Sequence, residues 1–168
     1  MQPLISADDI QQRVRDMGAE IARDHPLGVH LIGVLKGACI FLADLARAID
    51  VDVTIDFIAV SSYGSSTRSS GQVQLLKDLD IALEGRSVVI VEDIVDTGLT
   101  LTYLRDILKA RAPRSLRTAC LLSKPSRRQV DVPVDYVGFT IEDQFVVGYG
   151  LDHHDRYRHL PHIAVMPS

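Results

Sequence analysis

Val88-Val-Ile-Val-Glu-Asp-Ile-Val-Asp-Thr-Gly-Leu-Thr-Leu101 drives an apolar run straight into three acids, Glu92, Asp93 and Asp96. Carboxylates are seldom buried unless something pairs with them. A strand that ends in acids and is followed by a Thr-Gly turn and a helical pattern therefore reads as a place built to receive a ligand. Backbone N–H groups at the turn Asp96-Thr97-Gly98-Leu99-Thr100, together with the dipole of the helix it opens, make an anion site. The Thr97 and Thr100 hydroxyls add donors, and the small residues let the backbone approach a phosphate closely.

Glu92 and Asp93 are acceptors with no cation near them in sequence. Adjacent acceptors of this kind suit sugar hydroxyls or a divalent cation. A phosphate site beside a diol and cation site describes a phosphorylated ribose. The competing reading is plainer: Asp96 caps the helix, and Glu92-Asp93 is a solvated strand end. An apolar run, then E-D-x-x-D-T-G, then a helix favours the ligand site.

Working outward, Ser6 with Asp9 resembles a capping box, and Ile10, Val14, Met17 and Ile21 recur at helical spacing. His25-Pro26 ends that helix. Strands are expected over 29–35, 51–60, 72–76, 87–91, 116–122, 134–140, 145–149 and 163–165, and helices over 38–49 and 100–111. The stretch Ser61–Gly71 is nearly all small and polar around Tyr63, so it cannot build core. Strands alternating with helices predict one α/β domain over 1–168, with a mainly parallel twisted sheet flanked by helices. In such sheets ligands gather beyond the carboxyl ends of the strands. Leu35-Lys36-Gly37, the acid cluster and Ser123-Lys124-Pro125 all fall at such ends and should converge.

Composition sets the bounds. The 168 residues are 46% hydrophobic and 24% charged, with a net charge of −4, which gives no global reason to bind nucleic acid. No apolar run is long enough for a membrane span, and the start MQPLISADDI has no signal-peptide character. Cys39 and Cys120 sit in apolar segments without a CxxC spacing and read as reduced core thiols of a cytoplasmic protein.

The stretch 88–101 resembles the phosphoribosyl-pyrophosphate signature of the type I phosphoribosyltransferases. "LKG" at 35–37, "SSYG" at 61–64, "LKDLD" at 76–80, Lys124 and "DQFVVGYGLDHHDRYRHLP" at 143–161 resemble the bacterial hypoxanthine-guanine members. The resemblance runs from about residue 27 to 165.

It implies transfer of ribose 5-phosphate from phosphoribosyl pyrophosphate to N9 of a 6-oxopurine, with a small hood over the base. By position, Asp96, Thr97, Gly98, Leu99 and Thr100 would hold the 5-phosphate. Glu92 and Asp93 would hold the ribose hydroxyls and support magnesium, and Asp96 would serve as acid/base at purine N7. Lys36 and Gly37 would form a pyrophosphate loop, entered through a cis peptide, with Arg158 a second pyrophosphate contact. Lys124 would donate to the purine O6, Phe145 would stack on the base and the Val146 backbone would read its edge. Asp152 would contact a second magnesium, and Ser62 and Tyr63 would ride on the closing lid. The family also implies a homodimer or homotetramer, with no nucleic-acid or membrane partner.

Two segments stand apart. Asp152-His153-His154-Asp155 could be a transition-metal site, although a solvated loop at the base pocket fits its surroundings better. The family commonly has an aromatic where His153 stands. Arg127-Arg128 reads as a solvated or subunit-facing pair, with a place near the substrate also open. Two rival functions remain: the same donor site serving adenine or a pyrimidine, and a non-catalytic relative binding RNA through a basic face. Lys124, suited to a carbonyl, argues against the first; the acidic balance, the lid and Asp96 argue against the second.

Overall fold

In the computed structural model, residues 1–61 and 73–167 are described. Their elements are β1 (Gln2–Ile5), α1 (Ala7–Asp24), β2 (Val29–Val34), α2 (Cys39–Arg47), β3 (Val53–Val60), β4 (Leu75–Lys77), β5 (Ser87–Val95), α3 (Leu99–Lys109), β6 (Ser115–Ser123), β7 (Tyr136–Thr140), β8 (Val146–Val147) and β9 (Ile163–Val165). The larger sheet has the order β4-β3-β2-β5-β6-β7. Every pairing in it is parallel except that of the edge strand β4.

The unbroken apolar character of β5 follows from its central place. Val89 and Val91 pack with Ile10, Val14, Met17 and Ile21 of α1 and with Phe41 and Leu45 of α2. Val88 and Ile90, pointing the other way, pack with Leu101, Leu104 and Leu108 of α3. A strand covered on both faces shows no alternation of apolar and polar residues. At the start of α1, the Ser6 hydroxyl accepts from the Asp9 N–H at 3.1 Å, the cap its sequence announced.

The expected elements shift in four places. β5 continues through Glu92 and Asp93 to Val95 rather than ending at 91, because β6 pairs with it as far as Val95↔Ser123. The strand expected over 72–76 forms at Leu75–Lys77, and that over 145–149 shortens to Val146–Val147. The chain start forms a strand the pattern did not announce: β1, β9 and β8 build a separate antiparallel sheet in that order. Its Ile5, Val146 and Ile163 share one hydrophobic cluster with α1, α2 and β5.

Cys120 is a buried thiol, pushed up to about 12 by burial. Cys39 is exposed, not a core thiol, because it opens α2 on the solvent side. The lid residues Ser62 and Tyr63 lie outside the described residues. Among the described residues no helix is long and apolar enough to cross a membrane.

Candidate active site

The carboxyl ends of β2, β5 and β6 meet as expected. The loop after β2 contains a cis peptide between Leu35 and Lys36. It brings Gly37 so close to Asp93 that a β-carbon there would overlap Asp93 Oδ2. The Gly37 carbonyl in turn leaves no room for a side chain on Gly150. At the end of β6, the Lys124 N–H donates to the Val95 carbonyl at 3.0 Å. Lys36 itself extends outward, its ammonium 3.6 Å from Asp155.

Glu92, Asp93, Asp96, Thr97, Gly98 and Thr100 line one cleft of about 370 Å³. Burial pushes the Glu92 carboxyl well above its usual range, and the neighbouring Asp93 adds to that. Asp93 is pushed up to about 6, chiefly by burial, although the Ile94 N–H bound to its Oδ1 at 2.7 Å pulls the other way. Among the described residues neither carboxylate has a salt-bridge partner. Two adjacent, desolvated and unneutralised acids fit a site that receives a cation or several hydroxyl donors.

The plainer reading of Asp96 as a helix cap does not hold. Gly98 caps α3, with a φ of 87° that favours glycine, and the first helical N–H, of Leu99, donates to Thr97 Oγ1 at 3.3 Å rather than to Asp96. The Asp96 carboxylate instead accepts from Arg127 Nε at 3.0 Å. The turn is also held from behind. The Gln129 N–H donates to the Thr97 carbonyl at 2.9 Å. Arg128 donates to the carbonyls of Val95 and Asp96, at 2.8 Å each, and to Ser123 Oγ at 2.8 Å. Arg128 therefore belongs to the framework of the site rather than to open surface. No periodicity or motif marks it, since it acts through backbone carbonyls distant in sequence.

A second cavity of about 500 Å³ is lined by Asp143, Gln144, Phe145, His153, Val165, Met166 and Pro167. Phe145 is 54% exposed, and its ring meets His153 edge-on at 5.3 Å and 80°. Val146 lies on β8, an edge strand, so part of its backbone polar row faces away from the sheet. Lys124 is only 7% exposed, which excludes an ordinary surface lysine, and its ammonium is 3.6 Å from Asp143 Oδ1.

Asp152, expected at a second magnesium, is paired with Arg158, and among the described residues no group of three or more metal-type ligands forms. Its Oδ1 is 3.4 Å from Arg158 and its Oδ2 accepts from the Asp155 N–H at 2.8 Å. The His153 and His154 rings lie 4.1 Å apart, tilted by 57°, and among the described residues they belong to no metal-type cluster. Arg158 donates to the Gly150 carbonyl at 2.6 Å, and among the described residues its buried Nε has no partner.

The phosphoribosyl transferase domain model matches residues 6–154. The hypoxanthine-guanine phosphoribosyltransferase of Bacillus subtilis is 50% identical over 97% of this chain and 91% of its own length. The chain belongs to the hypoxanthine-guanine phosphoribosyltransferase family. A further member, the hypoxanthine phosphoribosyltransferase of Escherichia coli, is 46% identical over 96% of this chain and 92% of its own length. A crystal structure of a hypoxanthine-guanine phosphoribosyltransferase from Bacillus anthracis superposes with a TM-score of 0.95, at 47% identity over 99% of both chains. The type I phosphoribosyltransferase fold is thus shared at full length, and the helix-flanked, mostly parallel sheet is the family's own.

Proposed function

We propose that this chain transfers the phosphoribosyl group from phosphoribosyl pyrophosphate to N9 of hypoxanthine or guanine, forming IMP or GMP and pyrophosphate in purine salvage. The observation that carries the reading is that Arg127 links two cavities, through Asp96 of the first and Asp143 of the second. The first offers a phosphate turn beside two unneutralised acids, and the second is lined by the exposed Phe145 ring and by Asp143, 3.6 Å from the ammonium of the buried Lys124.

In this reading the N–H groups and hydroxyls of residues 96–100 bind the 5-phosphate at the head of α3. Glu92 and Asp93 accept from the ribose hydroxyls and are the residues that would hold magnesium beside them. When bound, magnesium supplies charge stabilisation to the departing pyrophosphate. Lys36, Gly37 and Arg158 surround that pyrophosphate, and Asp152 supports the same region. As the bond to pyrophosphate lengthens, the sugar becomes electron-poor, and the Asp96 carboxylate stabilises it and takes the purine's proton at N7. Phe145 stacks on the base, the Val146 backbone reads its edge, and Lys124 donates to O6.

The same reading makes 1–168 a single domain acting in the cytoplasm as a homodimer or homotetramer. Incubation with phosphoribosyl pyrophosphate, magnesium and each of hypoxanthine, guanine, xanthine, adenine and uracil tests it. Nucleotide should form with hypoxanthine or guanine. A clear preference for adenine or uracil, or no nucleotide with any base, would overturn it.

A further inference from the structure

Arg127 closes the short 3-10 turn Pro125–Arg127 that follows β6. Its guanidinium donates from Nε to Asp96 Oδ1 at 3.0 Å and lies 3.8 Å from Asp143 Oδ2. The other Asp143 oxygen is 3.6 Å from the Lys124 ammonium. Four alternating charges therefore run Asp96, Arg127, Asp143, Lys124. Asp96 lines the cleft that also contains Glu92 and Asp93, whereas Asp143 lines the cavity of Phe145 and His153. Arg127 bridges the junction between the two.

We propose that Arg127 is a positioning residue for phosphoribosyl transfer: it anchors Asp96 by one carboxylate oxygen so that the other is presented to the purine. The inference rests on the roles given above to Asp96 and Lys124. An aspartate has two rotatable side-chain bonds, and the Asp96 side of the turn offers no other side-chain partner among the described residues. The guanidinium Nε–H donates in a fixed direction, so this single bond constrains the carboxylate more than a point charge would. Through Asp143 the same guanidinium ties the acid facing N7 to the lysine facing O6, so both ends of the base meet a pre-set pair. Misplacing a reacting group by a fraction of its reach costs rate rather than stability. The Arg127–Asp96 pair is about half exposed, at 47% and 41%, so its loss should leave folding intact.

The test compares wild type with Arg127→Ala, Arg127→Lys, Asp96→Asn and the Arg127→Ala/Asp96→Asn double variant, measuring kcat, KM and melting midpoint. Arg127→Ala should lower kcat about tenfold, with KM for phosphoribosyl pyrophosphate and the melting midpoint little changed. Arg127→Lys should recover part of the loss. The double variant should be no slower than Asp96→Asn alone, because Arg127 acts through Asp96. Wild-type kcat in Arg127→Ala, with Asp96→Asn slow, overturns this inference and leaves the role of Asp96 standing. Additive losses in the double variant also overturn it. Asp96→Asn at the wild-type rate overturns both.

Discussion

Gly37 and Asp93 lie against each other with no space for a side chain between them: a β-carbon on Gly37 would clash with Asp93 Oδ2 at 1.8 Å. The loop after β2 and the acid end of β5 are thereby pressed into one surface. Gly37→Ala must push the carboxylate or the loop aside, and overpacking of this kind costs about 1–3 kcal/mol. The denaturation midpoint should fall and KM for phosphoribosyl pyrophosphate should rise. A variant unchanged in both would show that the contact constrains nothing.

Glu92 and Asp93 give a pH dependence of known sign. An acid raised by folding binds its proton more tightly in the folded state, so its ionisation weakens the fold as the pH rises through that range. For Asp93 the window runs from 3.8 to about 6. Asp93→Asn, which keeps an oxygen for the Ile94 N–H, should therefore melt higher than wild type at pH 7 in the absence of ligands. The gain should shrink as the pH falls through about 6 towards 4. Thermal scans across that range check it, and a constant difference at every pH would refute the account.

Asp96→Asn preserves the shape of the turn but removes the acid/base. Turnover should fall roughly 10²–10⁴-fold while the affinity for phosphoribosyl pyrophosphate changes much less. Steady-state kinetics with isothermal titration of the donor separates the two quantities. Equal losses in both would assign Asp96 to binding instead.

Lys124 carries the choice of base. An ammonium has donors only, so it matches the O6 carbonyl of hypoxanthine or guanine and faces a donor in adenine. A hydrogen bond to a charged group contributes roughly 1.5–3 kcal/mol, which corresponds to discrimination of about tenfold to a few hundredfold. Lys124→Ala should lose efficiency with hypoxanthine and guanine far more than any trace activity with adenine. Parallel losses on all bases would point to a role in folding.

Arg128 should behave unlike its neighbour Arg127. Its guanidinium satisfies the Val95 and Asp96 carbonyls and Ser123 Oγ, tying the end of β5 to the end of β6. Arg128→Ala should cost about 1–3 kcal/mol of stability, read from urea unfolding. Full stability in that variant would reduce these bonds to incidental contacts.

The sequence by itself determined the alternation of strands and helices, the buried run 88–91 and the acid-turn-helix at 92–101. Each of these is local: apolar periodicity and turn chemistry act between near neighbours, so residues a few positions apart carry the whole signal. Even the convergence of Gly37, Asp93 and Lys124 was legible, because parallel strands must place their carboxyl ends on one side. Tertiary structure decided what depended on partners far away in the chain. Gln2–Ile5, with Pro3 inside it, carries no strand pattern of its own, and it became a strand only by pairing with Ile163–Val165 at the other end. Asp96 meets Arg127, and Arg128 meets the Asp96 carbonyl, across a gap of about thirty residues that no period spans. Lys124 reads as a polar loop residue, yet the ends of β5 and β6 enclose it. Cys39 sits in an apolar stretch but faces water, because the side of a helix that is buried depends on the sheet it packs against.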